Sequence, residues 1–368
     1  MRYYLIAGEA SGDLHGSNLV KGLKAEDPAA DFRFWGGDLM EAACGVPPVR
    51  HYREGAVMGL GDVLAKAGKI MGNLSLCKKD VLSWRPDVLI LIDYPGFNFK
   101  MARFAHNHGI KVFYYIAPKT WASREGRNRK LKKYVDRLFI IFPFEKPYFS
   151  SRGLPFVYAG NPLLDAVDTH GYAPVTTGKY IAVLAGSRKG EISRMMPVCM
   201  QVADLMPERR FIIAGAPARS EEDYSKYIGD RKNVLLTFGR TYDVLHYADA
   251  AVINSGTASL EAALIGTPQV VCWSTSPVTA FLARKVLHVM DHIKFISLAN
   301  LILDKSVFKE LIQEDFNAKN VGDELESIVC DESRRKAMSD DYAAVRLALG
   351  GTGASRSVAR AMIRELAG

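Results

Sequence analysis

The sequence has no apolar run long enough to cross a bilayer. Its longest unbroken apolar stretches, such as LFIIFPF at Leu138 to Phe144, fall far short of the roughly 20 residues a spanning helix needs. No transmembrane helix is expected. The first residues, MRYYLIAGEASGD, pass from one arginine directly into a strand pattern, with neither the apolar segment nor the cleavage site of a signal peptide. Export is not expected. The five cysteines, Cys44, Cys77, Cys199, Cys272 and Cys330, are scattered and lack CxxC spacing, which predicts reduced core thiols in the cytosol and no disulfide or zinc framework. Neither GxGxxG nor a Walker lysine motif occurs, which weakens dinucleotide-redox and ATPase readings. Short-period repeats and low-complexity tracts are also missing, which excludes a solenoid.

At 368 residues, 48% hydrophobic and 24% charged, the chain is too long for one ordinary domain and predicts two soluble ones. RYYLIAG, FRFWGG, DVLILID, KVFYYIAP, LFIIFPF and PFVYAG read as buried strands with helical patterns between most of them, a βαβ series that implies a parallel sheet. At Asp168 to Tyr180 the pattern lapses into Gly, Pro and Thr, the mark of a linker. A second strand set follows in YIAVLAGSR, RFIIAGAP, VLLTFG, DAAVINSG and QVVCWS, and beyond about residue 305 the chain reads as helical. The expected fold is α/β, two doubly wound Rossmann-like domains facing a central cleft. The boundaries fall at 1–167, 168–349 and, beyond the glycines at 350, 351 and 353, a C-terminal helix over 350–368 packing back on an N-terminal domain, its own or a partner's.

Ligands of such folds bind at the carboxyl ends of the strands, and the residues there carry chemistry. In AVINSGTASLEAALIGTPQVV, Ser255, Gly256 and Thr257 stand where a strand gives way to a helix, so backbone N–H groups and the positive helix end suit a phosphate. Glu261, about one turn later, suits paired ribose hydroxyls. The plainer alternative is a capped helix with a first-turn acid. YIAVLAGSRKGEISRMMPV repeats the form at Gly186, Ser187 and Arg188, where a guanidinium fork matches a diphosphate. Asp93, at the tip of the apolar DVLILID, suits a desolvated general base or else a helix N-cap. Glu9, Ser11, Asp13 and His15 in AGEASGDLHG read equally as polar groups of the cleft or as a capping set with a surface histidine.

A net charge of +8 points to an anionic partner without choosing among nucleic acid, acidic lipid and a phosphorylated substrate. Basic residues concentrate over Ser123 to Arg137, and Arg356, Arg360 and Arg364 form a further stripe, most simply a solvated face. Upstream, Val57, Met58, Leu60, Leu64, Met71 and Leu74 recur at helical intervals beside Lys66 and Lys69. Such a stripe faces either a core or the membrane interface.

Taken together, AGEASGDLHG, AVMGLGDVL, PDVLILIDYPGFN, LFIIFPFE, YAGNPLLDAV, GSRKGEISRMMPV and NSGTASLEAALIGTPQVV resemble the lipid-A-disaccharide synthase family of inverting GT-B glycosyltransferases over nearly the whole chain. The resemblance implies transfer of 2,3-diacylglucosamine from UDP to the 6-hydroxyl of 2,3-diacylglucosamine 1-phosphate, making a β-1,6 disaccharide and UDP. It implies Asp93 as base, Ser187 and Arg188 at the diphosphate, and Ser255, Gly256, Thr257 and Glu261 at the nucleotide, with Asn300, Gln313 and Glu314 as further UDP candidates. On the acceptor side it implies Glu9, Ser11, Asp13, His15, Asn98 and Lys119. Neither metal nor other cofactor is implied, and nucleic acid is not an expected partner. Diacylated substrates raise the interfacial reading of the stripe from Val57 to Met71, so the expected setting is peripheral, on the anionic cytoplasmic face of a Gram-negative inner membrane, with a homodimer left open. Ala117, Ser123 and Ala185 depart from the family pattern, which commonly has Ser, Trp and Pro there. The rival readings are a UDP-sugar epimerase-like enzyme and a non-catalytic nucleotide-sugar-binding protein at a membrane surface.

Overall fold

The computed structural model describes residues 1–55, 63–121, 125–275 and 294–367, with side chains at all of these except 55, 63–67 and 69. Val57, Met58, Leu60 and Ser123 therefore lie outside the described residues, as do the side chains of Leu64, Lys66 and Lys69. The chain forms two units, Met1–Ala166 with Leu349–Gly368, and Val167–Ala348.

In the first unit seven parallel strands are ordered β3-β2-β1-β4-β5-β6-β7: β1 Arg2–Ala7, β2 Asp31–Gly36, β3 Arg50–His51, β4 Val88–Ile92, β5 Lys111–Tyr115, β6 Arg137–Ile140 and β7 Phe156–Tyr158. Every residue of β4 is buried, as a strand covered on both faces requires. Burying each such Val, Leu or Ile contributes about 1.5–3 kcal/mol relative to exposure, which places β4 at the centre.

The second unit has six parallel strands ordered β10-β9-β8-β11-β12-β13: β8 Ile181–Leu184, β9 Phe211–Gly215, β10 Val234–Phe238, β11 Ala250–Asn254, β12 Gln269–Trp273 and β13 Glu310–Ile312. The last of these corrects the helical expectation beyond residue 305, because Glu310, Leu311 and Ile312 pair with Val271, Cys272 and Trp273. Three residues are too short to show a period of two, and their partner strand lies far away in sequence. β3, two residues long and paired with Trp35 and Gly36, went unread for the same reason.

The stretch that reads as a linker is tied down within its unit. The buried Asp243 carboxylate accepts from the Ala173 amide at 3.0 Å and stands 3.1 Å from His170 Nε2, while Arg240 donates to the Ala173 carbonyl at 2.7 Å. The last helix, Ala354–Ala367, lies on the chain's own helix Ala10–Glu26. A Cβ on Gly22 would fall 2.7 Å from the Ser355 carbonyl oxygen, so glycine permits the approach. Arg356 and Arg360, which read as a solvated face, both pair with Glu26.

The amphipathic helix Val63–Trp84 divides its apolar residues. Cys77 and Val81 are buried and Leu74 packs against the core, whereas Ile70, Met71, Leu76 and Leu82 are exposed.

Candidate active site

Strand order reverses between β1 and β4 in one sheet and between β8 and β11 in the other. Doubly wound sheets bind ligands outside the carboxyl ends at that reversal. The loops after these four strands are therefore the candidates.

Gly8 follows β1, and a Cβ on it would sit 2.3 Å from the Tyr94 ring. Only glycine lets the loops after β1 and β4 close on each other. Just beyond β4, Asp93 and Tyr94 adopt φ of 43° and 47°, and Ile116 beyond β5 adopts 61°. Left-handed non-glycine residues cost on the order of 1–3 kcal/mol each and persist where surroundings over-determine them. Those surroundings are visible here: the Asp93 amide donates to the Tyr115 carbonyl at 3.1 Å, and the Asp93 carbonyl accepts from Tyr114 Oη at 2.7 Å and Asn98 Nδ2 at 2.8 Å. The partly buried Asp93 is thus held by its backbone in a fixed posture at the reversal.

Other residues expected on the acceptor side divide into three groups. Asn98 is fully buried and its Nδ2 also donates to the Ile92 carbonyl, so it braces the backbone. Asp13 is likewise drawn inward, accepting from the amides of Gly37, Leu39 and Met40. Burial pushes its pKa up against the opposing pull of those three amides. His15 is buried, which corrects its reading as a surface histidine, and burial lowers its pKa to about 4, keeping the ring neutral. Glu9 and Lys119 are exposed and Ser11 is partly so; these three remain accessible.

In the second unit Gly186 has φ of 100°, and a Cβ there would stand 2.6 Å from Glu191 Oε2 and 3.0 Å from Asn254 Nδ2. Glu191 then accepts the Ser187 and Arg188 amides at 2.9 and 3.1 Å. This amends the expectation of amides waiting for an anion: the chain's own acid takes these two, leaving the Ser187 hydroxyl and Arg188 guanidinium to meet a ligand. Arg188 pairs with Glu191 at 3.2 Å and is 69% exposed in its side chain. Ser255 and Gly256 lie between β11 and the helix Thr257–Ile265, which Thr257 opens and whose first turn is fixed by Ser259 donating to the Gly256 carbonyl at 2.8 Å.

Glu261 in that helix accepts from Tyr242 Oη at 2.7 Å, and burial raises its carboxyl pKa while the phenol lowers it. Asn300 is fully buried, bonded to the Phe308 carbonyl, Glu310 and the Val307 amide. It joins the helix Leu298–Leu303 to β13, and its amide oxygen and nitrogen are both engaged within the chain. Gln313, with φ of 55° just beyond β13, accepts the Thr275 amide at 2.6 Å; Glu314 beside it is exposed.

Four residues with roles at these ends escaped the sequence: Tyr114, Glu191, Tyr242 and Glu145. The buried Glu145 accepts the Ile141 and Phe142 amides after β6, and burial pushes its pKa up to about 7. An acid closing the apolar LFIIFPFE was the available signal. The others depend on partners that no local pattern reveals, except that Glu191 stands three residues after a cap position.

The family model described as lipid-A-disaccharide synthetase matches residues 3–363. A lipid-A-disaccharide synthase from Trichlorobacter lovleyi is 36% identical over 371 residues, covering 97% of this chain and 96% of that protein. One from Syntrophus aciditrophicus is 38% identical over 369 residues, with 96% and 95% covered. Among solved structures, UDP-GlcNAc 2-epimerase from Neisseria meningitidis bound to UDP-GlcNAc aligns with a TM-score of 0.69 at 13% identity, over 99% of this chain and 100% of that one. The calicheamicin glycosyltransferase aligns at 0.60 and 15% identity, with both chains fully covered. At such identities these structures establish the GT-B fold alone.

Proposed function

The chain belongs to the lipid-A-disaccharide synthetase family, and from that premise we propose that it transfers 2,3-diacylglucosamine from UDP to the 6-hydroxyl of 2,3-diacylglucosamine 1-phosphate. The observation that carries this is the family match over residues 3–363. Asp93 takes the hydroxyl proton as that oxygen attacks the anomeric carbon from the face opposite the diphosphate. The bond between that carbon and the diphosphate oxygen breaks, configuration inverts and UDP leaves. Ser187 and Arg188 stabilise the charge gathering on the diphosphate, the work preorganised donors do best. Ser255, Gly256 and Thr257 hold the nucleotide, and Glu261 holds its ribose.

Incubating the protein in detergent micelles with both substrates, and following UDP and lipids by mass spectrometry, tests the reaction. Acceptor-dependent disaccharide phosphate is expected. Conversion of a soluble UDP-sugar without any acceptor would replace the transfer reading with the epimerase one.

A ribose assignment for Glu261 has a pH signature. Hydroxyls donate to the ionised carboxylate, so UDP affinity falls as pH drops through a pKa that burial has raised above the ordinary range. Tyr242→Phe removes a donor that lowers this pKa, so its affinity loss begins at higher pH. Glu261→Gln removes charge-assisted bonds of about 1.5–3 kcal/mol, a loss of about 10- to 100-fold at neutral pH. Calorimetric titration with UDP from pH 5 to 8 checks all three proteins, and identical pH-independent affinities would discard the assignment.

Peripheral attachment to the cytoplasmic membrane face belongs to the same proposal. Supporting it are the exposed Ile70, Met71, Leu76 and Leu82 on the helix that carries Lys78 and Lys79, the net charge of +8, and the acyl chains of both substrates. No helix of the described residues is long and apolar enough to span a bilayer. Flotation with anionic liposomes at low salt should carry the protein upward; protein left at the bottom contradicts attachment.

A further inference from the structure

Wholly within the first unit, a cavity of about 200 Å³ opens at the carboxyl ends of the strands, reaching from the loops after β1 and β4 to β3. Trp35, Tyr94 and Phe97 supply aromatic walls, Glu9 stands at one side, and Arg50 and His51 stand on β3. Arg50 is the group among them that is only partly committed. Its Nη1 lies 3.2 Å from Glu54, an exposed partner, while its Nε is buried without a hydrogen-bond partner among the described residues. Buried guanidinium donors left unpaired are costly and call for a ligand. His51, by contrast, is engaged, with Nε2 at 3.3 Å from Asp38 and Nδ1 accepting the Arg53 amide.

From this geometry we infer that the cavity is the acceptor subsite, with Arg50 binding the phosphate monoester of the sugar phosphate and the aromatic walls covering its ring. The inference rests on the transferase reading given above and adds the residue that selects a phosphorylated acceptor. Spacing agrees with this placement. Three strand intervals separate β3 from β4, about 14 Å between the backbones that carry Arg50 and Asp93, a span that one arginine side chain and one sugar phosphate fill. The phosphate then lies toward Arg50 and the attacking hydroxyl toward Asp93. Glu9, two strand intervals from Arg50, meets hydroxyls or amide N–H groups of the sugar and stands apart from the phosphate. A guanidinium fork suits a monoester, which offers three terminal oxygens at once.

Steady-state kinetics with 2,3-diacylglucosamine acceptors bearing and lacking the 1-phosphate, on wild type, Arg50→Gln and Arg50→Lys, test the assignment. Wild type should favour the phosphorylated acceptor. Arg50→Gln should raise the KM for that acceptor about 10- to 100-fold, leave the KM for the UDP-sugar in place and erase the preference, while Arg50→Lys recovers part of it. Unchanged acceptor KM in Arg50→Gln, or a wild type indifferent to the phosphate, overturns the subsite and leaves the transferase reading standing. If wild type makes no disaccharide from either acceptor, the transferase reading is what fails. Calorimetric titration of the phosphorylated acceptor in micelles then decides the subsite separately: weaker binding to Arg50→Gln supports it, and equal binding overturns it. Phosphatidylglycerol displacing the acceptor at equal concentration would assign the arginine to a membrane headgroup and overturn the proposal too.

Discussion

Asp93→Asn is expected to lower kcat by about 10²- to 10⁴-fold, the range that a positioned general base contributes, with little change in either KM or in thermal unfolding. The substitution is chosen for its backbone. Asparagine and aspartate are the residues that best tolerate left-handed conformations outside glycine, so φ of 43° survives the change. Tyr114 and Asn98 grip the carbonyl of residue 93, and that carbonyl is retained. Asp93→Ala would mix lost chemistry with added backbone strain and is the poorer test. Stopped-time product analysis alongside circular dichroism separates activity from folding. Turnover within a few-fold of wild type in a folded Asp93→Asn protein removes Asp93 from the proton transfer.

Arg188→Ala should cost about 10²- to 10³-fold in kcat, the size of effect seen when one preorganised donor is removed from a developing charge. Stability should barely move. The side chain is largely exposed and its ion pair with Glu191 is an i,i+3 surface contact, a class worth at most about 1 kcal/mol. The Ser187 and Arg188 amides stay bound to Glu191 whatever side chain residue 188 carries, so the loop keeps its shape. Arg188→Lys should recover only part of the rate, because an ammonium offers a point charge where a guanidinium offers a fork. Single-turnover rates with both substrates saturating measure the step directly. A variant that binds UDP more weakly yet turns over normally would move Arg188 from the transition state to ground-state binding.

What was legible in the sequence is what local pattern encodes. Apolar runs of strand length interrupted by amphipathic segments announced eleven of the thirteen strands among the described residues, since burial on both faces of a parallel sheet demands continuous apolar residues. The joints at Gly186 to Arg188 and Ser255 to Thr257 were visible because glycine and small polar residues mark the turn from strand to helix. Asp93 stood out as a lone carboxylate at the end of an apolar strand. The strand order decided which of these joints lie at a reversal, and order is a property of pairing between segments about 15 to 85 residues apart.

Side-chain roles were legible less often, for the same physical reason. Asp13 and Asn98 sit in motifs that read as polar cleft groups, yet one caps the turn after β2 and the other braces β1 and β4. Asn300 reads as a cleft residue and is consumed by Glu310 and two backbone carbonyl or amide groups around β13. A buried polar side chain must satisfy its hydrogen bonds with whatever the fold brings near, and periodicity carries no record of that neighbour. The Tyr242 partner of Glu261 lies 19 residues upstream, and the Tyr114 hydroxyl reaches Asp93 from 21 residues downstream. The sequence by itself therefore determined most of the elements, the family and the residue types placed at strand ends. The tertiary structure alone decided which of those residues stay available to a ligand, because availability is set by partners that only packing supplies.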